Sequence, residues 1–181
     1  MTDGELAVMA SEGDERAFRE ILERYRQKIL AICLRMLRNS TEAEEAAQDS
    51  FVKIYLHLKD FDPQRGFMAW AAGITINECR DRLRKRARFK RRFREISDTD
   101  IDQSQAPVDT AYEKKRQVEL VENAVEKLPE KLKEVIVLRA YAEHSYEEIA
   151  RALKIRIGTV MSRLYRAREK LTELLERGEE S

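Results

Sequence analysis

Apolar side chains recur three and four positions apart through most of this chain. Phe18, Ile21, Leu22, Tyr25, Ile29, Ile32, Cys33, Met36 and Leu37 form one such series, which predicts a single long helix with one buried stripe. Asn39-Ser40 interrupts it. Thr41 and Glu44 then have the spacing of a capping box, in which hydroxyl and carboxylate satisfy free N–H groups at the start of a second helix. That helix is expected to bury Ala47, Phe51, Ile54, Tyr55 and Leu58. Phe61-Asp62-Pro63-Gln64-Arg65-Gly66 predicts a turn, since proline presets φ and glycine permits the exit. A third helix is predicted from about Phe67 through Trp70, Ile74 and Leu83, running directly into a basic stretch.

Ile96 to Thr110 carries no helical period and is acidic, polar and proline-bearing, which predicts a flexible linker. Periodicity resumes at about Tyr112. Pro129 suits the first position of a helix carrying Leu132, Val135, Ile136 and Leu138. Ser145 and Glu148 form a second capping box, opening a short helix with Ile149, Ala150 and Leu153. Lys154 to Ile157 separate it from a last long helix whose inner face is Val160, Leu164, Ala167, Leu171 and Leu175. The fold expected is all-α: two helical domains, 1–96 and 112–178, joined by a flexible acidic linker over 97–111.

Composition supports helices over sheet. Of 181 residues, only 6 are glycine and 3 proline, while 38% are charged and 43% hydrophobic. No apolar run approaches the roughly 18 residues of a membrane span, so no membrane insertion is expected. Met1 to Ala10 holds acids and no basic leader, so no signal peptide is expected. Cys33 and Cys79 lack partners at ligand spacing and are expected as buried thiols, which fits a reducing, cytoplasmic setting. With no glycine-rich phosphate loop and no metal cluster, neither catalysis nor a cofactor is expected. His57 and His144 are expected at the surface or at helix ends.

The net charge of +1 conceals a segmented chain. Residues 1–96 hold 20 basic and 16 acidic side chains, and residues 97–127 hold 4 and 8. Arg80 to Arg94 contains 10 Lys or Arg in 15 positions. Such a run neutralises phosphates, giving affinity without sequence information, or forms a solvated charged helix. It follows Trp70, whose face suits an unstacked base, and Asn77, whose amide suits a base edge.

The strongest signal is C-terminal. Ser145-Tyr-Glu-Glu-Ile-Ala-Arg-Ala-Leu153, a short turn, and Gly158-Thr-Val-Met-Ser-Arg-Leu-Tyr-Arg-Ala-Arg168 read as a helix-turn-helix. Ala150 is small where two helices cross, and Ile149, Leu153, Ile155, Val160 and Leu164 fill the wedge. Thr159, Met161, Ser162, Tyr165 and Arg166 then face outward, towards base edges in a major groove. A third segment, Glu44 to Tyr55, sets acids and amides on one face and aromatics on another. On its physics alone it is a plain amphipathic helix.

Asp14-Glu-Arg-Ala-Phe18 with its helix, the Glu44–Tyr55 segment, Phe61-Asp62 through Trp70, and Leu128-Pro129 to Arg168 together resemble a bacterial RNA polymerase sigma factor of the small extracytoplasmic-function group. The resemblance implies a promoter-specificity subunit whose partners are core RNA polymerase, promoter DNA and, commonly, an anti-sigma factor. It places core binding on Gln48, Asp49 and Phe51. It places −10 recognition and melting on Arg65, Phe67, Trp70, Asn77, Arg80, Arg84, Lys85 and Arg86. It places −35 reading on Gly158, Thr159, Met161, Ser162, Arg163, Tyr165 and Arg166. A stand-alone helix-turn-helix regulator is the alternative; the region-2-like half argues against it, since a regulator would need a ligand pocket or a receiver domain there. Three positions depart from the family pattern. Lys154 stands in the turn where glycine is usual, and Met161 where a basic residue is usual. Ala71-Ala72-Gly73 follows Trp70 in place of bulkier residues, which predicts a loosely packed third helix.

Overall fold

The computed structural model describes residues 1–63, 66–94 and 112–179, and every regular element among them is helical. The linker expected at 97–111 lies outside them. In the N-terminal half, α1 (Asp3–Ser11), α2 (Glu15–Leu37), α3 (Ser40–Leu56) and α4 (Phe67–Arg94) pack around α2. The stripe predicted on α2 is the core: Ile21, Ile29 and Ile32 are fully buried, each contributing about 1.5–3 kcal/mol. Cys33 and Cys79 are buried free thiols within it.

Three local expectations change. Residues 3–11 form a helix that sequence reading left unassigned; Thr2 and Glu5 supply its capping box, and Leu6, Ala7 and Ala10 are buried. Gly13, at φ 102°, makes the turn into α2 that a side chain would strain. The cap of α3 is Asn39, whose side chain accepts from the Glu42 N–H, so the helix starts at Ser40 and the Thr41–Glu44 pair lies inside it. Tyr55 is 45% exposed and does not join the core of α3.

In the C-terminal half, α5 (Tyr112–Glu126), α6 (Glu130–Ile136), α7 (Tyr146–Leu153) and α8 (Ile157–Glu179) bury Val135, Leu138, Ile149, Val160, Leu164 and Ala167, which join the core of the N-terminal half in one apolar cluster. Pro129 caps α6 and does not begin it. A short π-helical stretch, Val137–Tyr141, continues α6. His57 caps the end of α3, whereas His144 is buried just before the α7 cap and is no surface residue. The Ser145–Glu148 capping box is present in both directions.

Lys154 closes α7 in the left-handed conformation, φ 53° and ψ 46°. The backbone thus keeps the geometry that favours glycine although the side chain does not. Lys154→Gly is expected to stabilise the protein by about 1 kcal/mol, read as a shift of the urea midpoint at constant slope. An unchanged or lower midpoint would mean that the lysine stem compensates the strain.

Candidate functional site

Three surfaces bring the singled-out residues together. The first is an open groove of about 730 Å³ between α2 and α3. Phe18, Leu22, Ala47, Phe51, Val52 and Leu56 line its floor, and Glu23, Arg26, Glu44 and Gln48 stand at its edge. Phe18 and Tyr55 pack ring to ring at 4.8 Å. Val52 and Leu56 are 58% and 69% exposed, unusual for aliphatic side chains one helical turn apart. Their i, i+4 spacing off the buried face of α3 was the available sign of a second apolar stripe.

The trio expected to bind core polymerase divides here. Gln48 and Phe51 line the groove, but Asp49 turns to α4, where Arg82 Nη2 donates to it at 2.5 Å. Arg82 also donates to Glu45 at 3.1 Å and to Glu78 at 2.7 Å. Burial pushes the Glu78 carboxyl up, but Lys53 at 2.6 Å and Arg82 outweigh it and hold it below the usual carboxylate range. Arg82, which sequence reading counted only within a basic run, is therefore the hub that fastens α3 to α4.

The second surface is α4. Phe67 is buried, with its ring 5.3 Å from both Tyr25 and Phe61, so it supports the preceding turn and is not presented to a base. Trp70 is half-buried, 5.2 Å from Phe61 and 5.6 Å from Phe67. Asn77 is exposed, and its Oδ1 accepts from Arg80 at 2.9 Å. Arg65 lies outside the described residues. Arg84, Lys85 and Arg86 are exposed; Arg84 pairs with Asp81 at 3.4 Å, and Arg86 reaches Glu42 at 3.5 Å. Beyond them the helix carries Arg88, Phe89, Arg91 and Arg92 into solvent, around a shallow hollow. Contrary to the loose packing expected, Ala71, Ala72 and Gly73 are all buried.

The third surface is α8. Val160, Leu164 and Ala167 are buried against α6 and α7, while Met161, Ser162, Tyr165 and Arg166 are exposed on the opposite face. Gly158 is exposed beside them; Thr159 and Arg163 are half-buried at the edge. Ser162 Oγ donates to the Thr159 carbonyl at 3.1 Å. A hydrogen bond with Glu169 holds the Tyr165 hydroxyl above its ordinary pKa. This is the outward face and register that the sequence periodicity predicts.

Two family models match the chain: sigma-70 region 2 over residues 21–89, and sigma-70 region 4 over residues 119–171. The ECF RNA polymerase sigma factor SigW of Bacillus subtilis is 36% identical over 171 residues, covering 91% of each chain. The chain belongs to the extracytoplasmic-function (ECF) sigma factors. As a member of that family it is a non-catalytic promoter-specificity subunit of RNA polymerase. Two solved structures share the fold. CnrH, in complex with the cytosolic domain of CnrY, superposes with a TM-score of 0.73 at 30% identity and 97% coverage of both chains. The sigma factor RpoE of Bartonella quintana, in complex with the anti-sigma factor NepR, gives a TM-score of 0.71 at 25% identity, covering 88% of this chain and 96% of that one. In this sigma factor the region 2 match spans α2 to α4, leaving α1 outside it, and the region 4 match spans α5 to α8.

Proposed function

We propose that this sigma factor divides promoter recognition among the three surfaces. The α2–α3 groove, with Gln48 and Phe51, docks an apolar helical surface of core polymerase. The α4 face around Trp70 and Asn77 captures unstacked −10 bases, and the exposed Arg84, Lys85 and Arg86 neutralise the flanking phosphates. The outward quartet of α8 reads the −35 duplex in the major groove. Binding energy gathered at −10 offsets strand separation, and two modest modules on one chain gain effective concentration when promoter spacing lets both engage. The carrying observation is α8: three apolar residues buried on one face and four groove-reaching residues exposed on the other.

The protein works in the cytoplasm, where polymerase and chromosome are; among the described residues no helix is long and apolar enough to cross a membrane. An anti-sigma partner is proposed by likeness to RpoE, which was solved with NepR. Transcription by core polymerase with and without this chain, with start sites mapped genome-wide, tests the reading. New start sites sharing two spaced elements are expected. Tight sequence-specific binding by the free chain, with no change in start sites, would favour a stand-alone regulator.

Met161 gives a sharper expectation. It is 50% exposed on the reading face and can offer a base only a flexible apolar surface. Met161→Arg should select guanine at one −35 position, a bidentate contact worth about 1–3 kcal/mol of discrimination. Selection of −35 sequences by both proteins decides it, and identical selection would place residue 161 away from the bases.

A further inference from the structure

The first helix reaches both ends of the turn that precedes α4. α1 packs on α2, on the short 3₁₀ turn Leu58–Asp60 and on α4, although it lies outside the region 2 match. The capping box at Thr2 and Glu5 fixes where the helix begins, so Asp3 and Gly4 fall in its first turn. A Cβ built at Gly4 would lie 3.0 Å from the Pro63 carbonyl oxygen and 3.4 Å from the Pro63 Cβ. Glycine there lets the helix seat directly against Pro63.

Asp3 acts on the other end through α2. It accepts a hydrogen bond from the Tyr25 hydroxyl. Arg24 Nη1 donates to the other Asp3 oxygen at 3.0 Å and to the Met1 carbonyl at 3.2 Å, so the carboxylate is held from two sides. Tyr25 then begins a series of ring contacts. Its ring is 5.3 Å from Phe67, which lies 5.3 Å from Phe61 and 5.6 Å from Trp70; Phe61 and Trp70 close the set at 5.2 Å. Tilted and edge-on rings attract at these separations. Phe61 and Phe67 are buried in close packing, so neither ring can shift without moving its neighbours. The half-buried Trp70, assigned above to an unstacked base, is therefore placed in part by a carboxylate on α1.

We propose that the first turn of α1 is a positioning element for −10 recognition. Gly4 seats Pro63, and the Asp3–Tyr25 hydrogen bond steadies the aromatic set that presents Trp70. Asp3, Gly4 and Tyr25 touch no DNA in this role; they fix the geometry of the residues that do. The role rests on the −10 reading of α4 given above. Loosening either contact relaxes the choice of −10 sequence and leaves the other two surfaces as they are, since none of the three residues lines the α2–α3 groove or lies on α8.

The test uses holoenzyme assembled with the full chain on a promoter pool randomised through the −10 element, with open complexes isolated and sequenced. Gly4→Ala, Tyr25→Phe and Asp3→Ala should each lower the preference for the selected −10 sequence over its single-base variants. The loss should be at least about fivefold, the low end of what one base contact is worth. Asp3→Asn keeps an acceptor for the Tyr25 hydroxyl and should select as wild type does. Affinity for core polymerase and the selected −35 sequence should not change. Alanine ordinarily favours a helix over glycine, and Pro63 is exposed and can give way, so Gly4→Ala should keep the wild-type melting midpoint while its selection relaxes. Unchanged −10 selection in the three variants overturns the proposal. So does a loss shared equally by −10 and −35, or a loss in Asp3→Asn as large as in Asp3→Ala. The −10 reading is checked separately: Asn77→Ala should impair promoter melting by permanganate footprinting but not on a pre-melted template. If Asn77→Ala melts promoters normally, that reading falls and the proposal with it. If it fails to melt them while the α1 variants select normally, only the role of α1 falls.

Discussion

Aspartate in place of Val52 and Leu56 should cost this sigma factor at least about a hundredfold in affinity for core polymerase, close to 2.7 kcal/mol. The two side chains stand in the open α2–α3 groove at 58% and 69% exposure, so the free protein keeps its core when they change. In a docked complex the new carboxylates would be buried without partners at the centre of an apolar contact, where single residues carry most of the binding energy. Equilibrium titration of core polymerase with fluorescently labelled chain measures the loss, and an unchanged melting midpoint shows that the fold survives. Undiminished affinity would remove the groove from the polymerase interface.

Ile149→Ala is expected to have the second large effect, on stability before function. Ile149 is fully buried where α7 crosses α8, among Leu153, Val160 and Leu164. Large-to-small changes at such sites cost about 2–5 kcal/mol, because the wedge between two helices collapses only partly into the cavity. Domains of this size rarely have more than about 5–15 kcal/mol to lose. Urea unfolding should show the loss, and transcription from promoters that depend on the −35 element should fall at growth temperature while the α2–α3 groove still binds core. A cost under about 1 kcal/mol would mean that the wedge repacks freely.

That wedge was legible in the sequence for a physical reason. Ser145 and Glu148 mark a helix start by their own chemistry, and Ile149, Val160 and Leu164 repeat with the helical period, so both the crossing and the outward face of α8 follow from spacing. The first helix carries the same kind of cap at Thr2 and Glu5, but its apolar set is too short and weak to show a period. At Lys154 side-chain preference argued against the backbone that the turn adopts, and tertiary packing overrode it. Tyr55 shows a different limit: helical period says which positions share a face, not whether that face meets the chain's own core or solvent. The docking of α7 on α4 was out of reach for the same reason. Its trace was the departure at Ala71-Ala72-Gly73, which read as loose packing and proved to be room for another helix.

Trp70 is the only tryptophan of the chain. It sits at the start of α4 within 5.2 Å and 5.6 Å of two phenylalanine rings, half in contact with solvent, on the helix assigned to the melted strand. Indole emission responds to the polarity around the ring and is quenched by stacked nucleobases. The molecule therefore carries its own optical probe, and its unlabelled fluorescence can follow, in real time, the arrival of single-stranded DNA at the start of α4.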